Sequence, residues 1–266
     1  MLVIDTRHQT TFSALGLNSF DSVVAFFGGD KLPARTCVRI WPHTISPPGQ
    51  PALSVFYKQY EYRPASWAFL GRRSKARREY RNYETLEDLG IACAERMACG
   101  EHRDGFGRLQ RAFIVTRAIP GAMNLIDFTA KHCADRIAEP TRLLRTAIRR
   151  QLAAMTRASH VGGFFHNDLY WRNVLVSWQP PAEPKVWWID SPRGQLDRWS
   201  PWRSRRRLKD LAALDKSAAS NCRRTERAAF VAEYLGTSRL DAQARQLIRE
   251  ILAYRKQRWP EDWNER

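Results

Sequence analysis

The sequence predicts an α+β protein of two lobes, a small sheet-bearing lobe followed by a larger and mostly helical one. Three observations carry this. The chain has 266 residues, enough for one large domain or two small lobes. Strand-like segments with a single helix come first, and helices with a single hairpin follow. Between them, Pro120-Gly121 breaks the chain. The lobes are therefore expected at residues 1–118 and 119–266.

Each element has its own signal. The first 30 residues are mixed and offer only a Gly28-Gly29 turn. RTCVRIW, residues 35–41, alternates and is rich in β formers, so it reads as a strand. WPHTISPPGQP, residues 41–51, reads as a turn-rich loop. LSVFYKQYEY, residues 53–62, reads as a second strand. Ser54, Phe56, Lys58 and Tyr60 share one of its faces, and Leu53, Val55 and Tyr57 the other. Residues 74–89 read as a helix that Ser74 can cap and Gly90 can end. Glu79, Tyr83 and Leu86 fall on one stripe of it. Residues 108–119 read as one long strand or a pair. Beyond the break, residues 139–158 form an amphipathic helix. Residues 160–178 are a loop running into a strand, and 185–190 are the next strand, after the turn segment QPPAEP. Residues 205–220 and 225–256 read as helices. No repeat or low-complexity tract interrupts this order.

Composition narrows the function. A hydrophobic share of 44% excludes a wholly disordered chain. Lys and Arg number 44 against 27 Asp and Glu, a net charge of +17. Such an excess points to a polyanionic partner: nucleic acid, an anionic membrane face or a phosphorylated substrate. No run approaches 18 consecutive apolar residues, so no spanning helix is expected. The opening residues lack a basic stretch followed by an apolar one, so the chain is expected to stay in the cytoplasm. Cys37, Cys93, Cys99, Cys133 and Cys222 are scattered and none has CxxC spacing. Neither a disulfide framework nor a zinc site is expected, and reduced thiols fit a reducing compartment.

The segment that carries chemistry is His166-Asn167-Asp168-Leu169-Tyr170-Trp171-Arg172-Asn173, followed by an apolar run, a turn and Ile189-Asp190. Asp, Asn five residues on, and a second Asp after a hairpin resemble the catalytic loop and metal-binding Asp of protein-kinase-like phosphotransferases. The residue types suit the reaction. A hydroxyl nucleophile needs an oriented acceptor for its proton, and Asp168 can be that acceptor. Mg²⁺ needs hard oxygen ligands, which Asn173 and Asp190 supply. ATP phosphates need a cation on an early strand, and Lys58 sits there. A helix after that strand should bring a carboxylate to the lysine, and Glu79 lies 21 residues on. Taken singly, Lys58 and Glu79 read as surface residues; in this order with the loop they read as a site. His166 is expected to support the loop.

SKARREYRNYETLEDLGI, TRAIPGAMNL, HNDLYWRNVLV, IDSPRG and RRLKDLAALDKSA together resemble the lipopolysaccharide kinase family. This family includes the kinases of core heptose and of 3-deoxy-D-manno-octulosonic acid (Kdo). The likeness runs over residues 39–235. It implies a kinase-like fold and ATP- and Mg²⁺-dependent phosphorylation of a sugar hydroxyl of the lipopolysaccharide inner core. On the family's pattern Asp168 is catalytic, Lys58 and Glu79 serve ATP, Asn173 and Asp190 hold Mg²⁺, and Asp210 braces the loop. Relatives can require acyl carrier protein as a bound partner, which makes it an expected partner here. The chain departs from the protein-kinase pattern in places. Asn167 stands where Arg is usual, and Ser-Pro-Arg-Gly follows Asp190 where Phe-Gly is usual, so no switch by a flipping Phe is expected. No GxGxxG precedes Lys58, so the phosphate-covering loop is not located.

Two basic runs stand out: Arg72, Arg73, Lys75, Arg77 and Arg78, and then Arg203, Arg205, Arg206, Arg207 and Lys209. Trp199 and Trp202 border the second. Singly these are solvated charges. Together they suit an anionic membrane surface, expected to be the cytoplasmic face of the inner membrane, and Trp199 and Trp202 suit its interface or a sugar ring. Trp187 and Trp188 read as core. Nucleic acid is not expected. Two other readings stay open: a kinase of another small molecule or of a protein, and a catalytically silent basic binding protein on the same fold.

Overall fold

The structure is a computed structural model and describes residues 1–28, 38–135 and 137–263. Gly29, Cys37 and the opening residues 35–37 of the first expected strand lie outside them. The chain divides into two compact units: Met1–Glu84 with Ala94–Ile119, and Thr85–Cys93 with Pro120–Arg266.

The first unit is built on β1 (Leu2–Ile4), α1 (Gln9–Ala14), α2 (Phe20–Phe27), β2 (Val38–Ile45), β3 (Leu53–Ser66), α3 (Lys75–Asp88), β4 (Arg96–Arg103) and β5 (Leu109–Arg117). The strands make an antiparallel sheet in the order β1-β4-β5-β3-β2. Phe12, Leu17, Phe20, Val23 and Phe27 pack with Val55, Tyr57, Met97, Phe113 and Val115. That burial is the apolar payload of the unit. β2 runs through Ile45, so the expected loop over 41–51 starts five residues late. Its Pro42 pairs with Phe56. β2 is an edge strand, where a residue lacking an N–H leaves no ladder bond unmade.

α3 follows the sequence closely. The Ser74 hydroxyl accepts from the Arg77 N–H at 3.0 Å, an N-cap bond. Gly90 takes φ +68°, and Ile91 N–H closes the helix onto the Leu86 carbonyl at 2.8 Å. Gly100 of β4 meets a different demand: a Cβ there would sit 2.5 Å from a Phe113 ring carbon and 2.8 Å from one of Phe20.

The second unit contains β6 (Ala122–Asn124), α4 (Leu125–His132), α5 (Glu139–Val161), β7 (Phe164–Phe165), β8 (Val174–Ser177), β9 (Lys185–Trp188), β10 (Gln195–Leu196), α6 (Arg203–Asn221), α7 (Arg224–Leu235) and α8 (Ala242–Arg258). β6, β8 and β9 form one small sheet, and β7 pairs with β10. Ala153 of α5, Leu211 and Ala212 of α6, Val231 and Tyr234 of α7, and Leu247 and Ile251 of α8 form its main core. Trp188 is fully buried, as its strand suggested. The stretch 225–256 is two helices. Gly236, at φ +77°, ends α7, with its N–H on the Glu233 carbonyl and that of Thr237 on the Ala232 carbonyl. Among the described residues no helix is long and apolar enough to cross a membrane.

Candidate active site

In the first unit β3 and α3 bring Lys58 and Glu79 together. Lys58 on β3 is 8% exposed and Glu79 on α3 is 2% exposed. The Lys58 ammonium donates to both Glu79 carboxylate oxygens, at 3.1 and 3.3 Å. The Tyr60 hydroxyl donates to the same carboxylate at 2.8 Å and that of Tyr83 at 3.2 Å. The ammonium also lies 5.4 Å from the centre of the Tyr60 ring. Tyr60 is two residues along the Lys58 face of the strand and Tyr83 one turn along the Glu79 stripe. Their places were legible, but their hydroxyl contacts were not. A buried charge is costly unless it is paired and hydrogen-bonded, and this carboxylate has three donors.

In the second unit the loop is anchored by its backbone. Asp210 of α6 is fully buried. Its two oxygens accept from the amides of His166, at 2.8 Å, and Asn167, at 2.7 Å. His160 approaches the same carboxylate at 3.4 Å and the Tyr234 hydroxyl at 2.9 Å. His166 Nε2 donates to the Ile189 carbonyl at 3.1 Å, and the Ile189 N–H reaches the Asn173 carbonyl at 3.0 Å. The sequence thus binds the start of the loop, its end and the residue before Asp190 to one another.

Two non-glycine residues with positive φ occur among the described residues, and both are here: Asn167 at +62° and Asp190 at +58°. Asn and Asp are the side chains that best tolerate this region, and strain of about 1–3 kcal/mol of this kind gathers at functional sites. That accounts for Asn at 167. Its side-chain amide donates to the Phe165 carbonyl at 3.2 Å and the Arg193 carbonyl at 3.1 Å, so it bridges the loop to the segment after Asp190.

Asp168 keeps part of its carboxylate open. It receives Arg172 Nη2 at 3.2 Å and Asn173 Nδ2 at 3.3 Å, with Arg193 Nη1 4.0 Å away. Asn173 Nδ2 also donates to the Asp168 backbone carbonyl at 2.8 Å. With its nitrogen so committed, the Asn173 amide turns its oxygen away from Asp168. That oxygen and the Asp190 carboxylate are hard donors suited to Mg²⁺. Among the described residues no group of three or more His, Cys, Asp and Glu could hold a metal by itself.

The basic run of α6 is less free than the sequence suggested. Arg206 pairs with Asp197 at 3.0 Å and donates to Gln195 at 2.6 Å, and Arg203 donates to the Arg198 carbonyl at 2.6 Å. Arg205 is exposed. Lys209 is half-buried, and burial pulls its ammonium below the ordinary lysine range. Trp199 is 93% and Trp202 58% exposed.

A model of the lipopolysaccharide kinase (Kdo/WaaP) family matches residues 63–234, which is 172 of the 266. The chain belongs to the lipopolysaccharide kinase family. The match spans Glu79, Asp168, Asn173, Asp190 and Asp210 and begins past Lys58. A chain of this family is a kinase, a phosphotransferase. Among solved structures it is similar to "WaaP in complex with acyl carrier protein", at 23% identity and a TM-score of 0.70, covering 97% of each chain. At that identity the likeness is one of fold, and it gives the kinase-like α+β architecture. No curated protein sequence matches the chain.

Proposed function

We propose that this lipopolysaccharide-family kinase moves the terminal phosphoryl group of ATP to a hydroxyl of an inner-core sugar, heptose or Kdo, at the cytoplasmic face of the inner membrane. The buried Lys58–Glu79 pair carries the reading. Such a pair adds little to stability over an apolar pair of the same size, so we assign it a task. That task is to present a fixed ammonium to the nucleotide phosphates. Tyr60 and Tyr83 keep Glu79 aimed at it.

Asp168 takes the proton of the acceptor hydroxyl and orients that oxygen for in-line attack. The Asp210 anchor sets the loop so that the carboxylate is held before substrate arrives, which lowers the ordering still needed in the transition state. Asn173 and Asp190 would hold Mg²⁺, whose charge would offset that of the nucleotide phosphates. The exposed Trp199 and Trp202 beside Arg205 favour an anionic lipid surface, where the acceptor is anchored. Acyl carrier protein is the partner in the solved WaaP complex, and we extend it to this chain; co-purification after joint expression tests it.

The function is tested by incubating the purified protein with labelled ATP and lipopolysaccharide core oligosaccharide, a protein mixture or an aminoglycoside. Mass spectrometry of the oligosaccharide should find one added phosphate and assign its sugar. Label in protein or aminoglycoside alone would replace the acceptor, and no label anywhere would favour the silent reading.

A further inference from the structure

The first turn of α6 carries positive charge that the steps above do not use. A cleft of about 300 Å³ opens between this turn, the end of α5 and β7. Arg203, Ser204 and Arg207 line it together with His160, Val161 and Tyr234. His160 Nδ1 lies 2.9 Å from the Tyr234 hydroxyl, and its Nε2 lies 3.4 Å from Asp210. Arg203 Nη2 donates to the His160 carbonyl at 3.4 Å, and Nη1 to the Arg198 carbonyl at 2.6 Å. Both acceptors are neutral, so the charge of Arg203 is not balanced by them. The Arg207 guanidinium faces the Tyr234 hydroxyl, and its Nε is buried without a hydrogen-bond partner. Among the described residues neither Arg203 nor Arg207 has an ion pair, whereas Arg206 is paired with Asp197 at 3.0 Å.

α6 also begins with no acidic residue in its first turn and no side-chain cap. The positive end of its dipole therefore adds to the two guanidinium groups. First-turn N–H groups, a hydroxyl and two planar forks make a donor set for the oxygens of a phosphate. The surroundings of the cleft are apolar and exposed. The turn that follows Val161 packs on the chain before α6: a Cβ on Gly163 would stand 3.1 Å from the Asp197 carbonyl oxygen and 2.9 Å from Arg198 Cγ. Val161, Leu196, Trp199 and Trp202 are all exposed. A free phosphate has no use for such a border, whereas a lipid headgroup does, because indole rings settle at the headgroup level.

We infer that Arg203, Ser204 and Arg207 form a site for the phosphate of an anionic phospholipid headgroup, with Val161, Trp199 and Trp202 entering the lipid surface around it. The inference rests on the membrane reading above and adds a fixed site to it: the lipid is held in a cleft and not by net charge alone. The lipid bound there is a ligand of the docked enzyme and is not the phosphoryl acceptor. Gln195 and Leu196 pair with Phe165 and Phe164, directly before His166. A headgroup gripped at the cleft therefore sets the height of the catalytic loop over the membrane in which the acceptor is anchored.

The test uses the full-length protein, vesicles of phosphatidylcholine with and without phosphatidylglycerol, and inorganic phosphate, with no acceptor present. A surface potential counts charges, whereas a forked site also reads their shape. Arg207→Lys should therefore weaken binding to the phosphatidylglycerol vesicles by about tenfold, the loss of one charge-assisted bond, while Arg205→Lys leaves it unchanged. Ser204→Asp guards against a mere folding defect. An acid in the first turn suits the helix, so the thermal midpoint should hold or rise, yet vesicle binding should fall at least as far as in Arg207→Lys. Replacing Trp199 and Trp202 together by Ser should weaken vesicle binding and leave the affinity for inorganic phosphate, followed through the His160 ring resonances, where it was. Wild-type vesicle binding in Arg207→Lys would remove the site and leave the membrane reading resting on net charge. Inorganic phosphate that binds as well as the vesicles do, with the tryptophans indifferent, would overturn the lipid as occupant. A wild-type chain with no affinity for vesicles or phosphate would sink the membrane reading and the site together.

Discussion

In the first unit Lys58 and Glu79 are buried and hold each other, with two tyrosine hydroxyls on the same carboxylate. In the second, Asp168 stays partly open, and what is held is the backbone of its loop, through Asp210 and the amides of His166 and Asn167. A charge fixed by a partner side chain strands that partner when it is removed, in surroundings where an unpaired charge is expensive. A charge on an anchored backbone can be neutralised with the loop still standing. Folding and function should therefore be entangled in the first unit and separable at Asp168.

The largest expected effect is at Asp168. Asp168→Asn keeps the shape and loses the charge, so phosphoryl transfer should fall by roughly 10²–10⁴-fold. The thermal midpoint and Mg²⁺-nucleotide affinity by calorimetry should stay near wild type. Asp190→Asn keeps a side chain that tolerates positive φ, yet should lose nucleotide affinity as well as turnover. Equal loss of nucleotide affinity in both variants would erase the division between proton acceptor and metal ligand. A near wild-type rate in Asp168→Asn would overturn the assignment of the loop.

Entanglement in the first unit is read by urea unfolding and kinetics together. Lys58→Ala and Glu79→Ala should each cost about 3–5 kcal/mol, because each leaves a buried charge alone. The double variant should be little worse than either single one, both in stability and in kcat/KM. Additive losses would mean that the two residues do not act as a unit.

Much of this contrast was written in the sequence, and for definite reasons. α3 carries its own cap in Ser74, its own stop in Gly90 and its apolar stripe, so Glu79 was placed by local rules. Lys58 followed from strand alternation. Asp210 was reached only through family likeness, since nothing about an Asp in the middle of a helix says that two amides 43 and 44 residues earlier end on it. β4 was missed because Ala98, Cys99 and Gly100 are poor strand formers; packing under Phe113 and Phe20 overrides propensity there. The division of 225–256 was missed although Gly236 marked it. The loop expected from residue 41 was a misreading of Pro42, which an edge strand accepts. Lys209 was counted with the solvated run, because tertiary burial has no signature at one position.

The smallest expected effect sharpens the comparison inside the basic run itself. Arg205 is exposed, and Arg205→Gln should weaken binding to anionic vesicles by about fivefold, equivalent to ~1 kcal/mol, with the difference fading at high salt. Arg206→Gln should instead lower the unfolding midpoint, since Arg206 holds Asp197 and Gln195. Sedimentation with vesicles and a thermal melt separate the two. Vesicle binding indifferent to Arg205 would end the membrane role of this run.

The stretch after Asp190 has little slack. Gln195 already pairs with Phe165, the Asp197 N–H reaches the Gly163 carbonyl at 2.7 Å, and Asn167 holds the Arg193 carbonyl between them. Kinases that are turned on and off do so with a long hinged segment in this place, disordered in one state and ordered in the other. Here four residues separate Asp190 from the next paired strand, too few to swing clear and return. On the proposed function, such an enzyme has no segment to swing here, and its throughput would follow the arrival of acceptor and nucleotide. On that reading, control of the product would belong to whatever sets the supply of the acceptor, or the amount of the enzyme made.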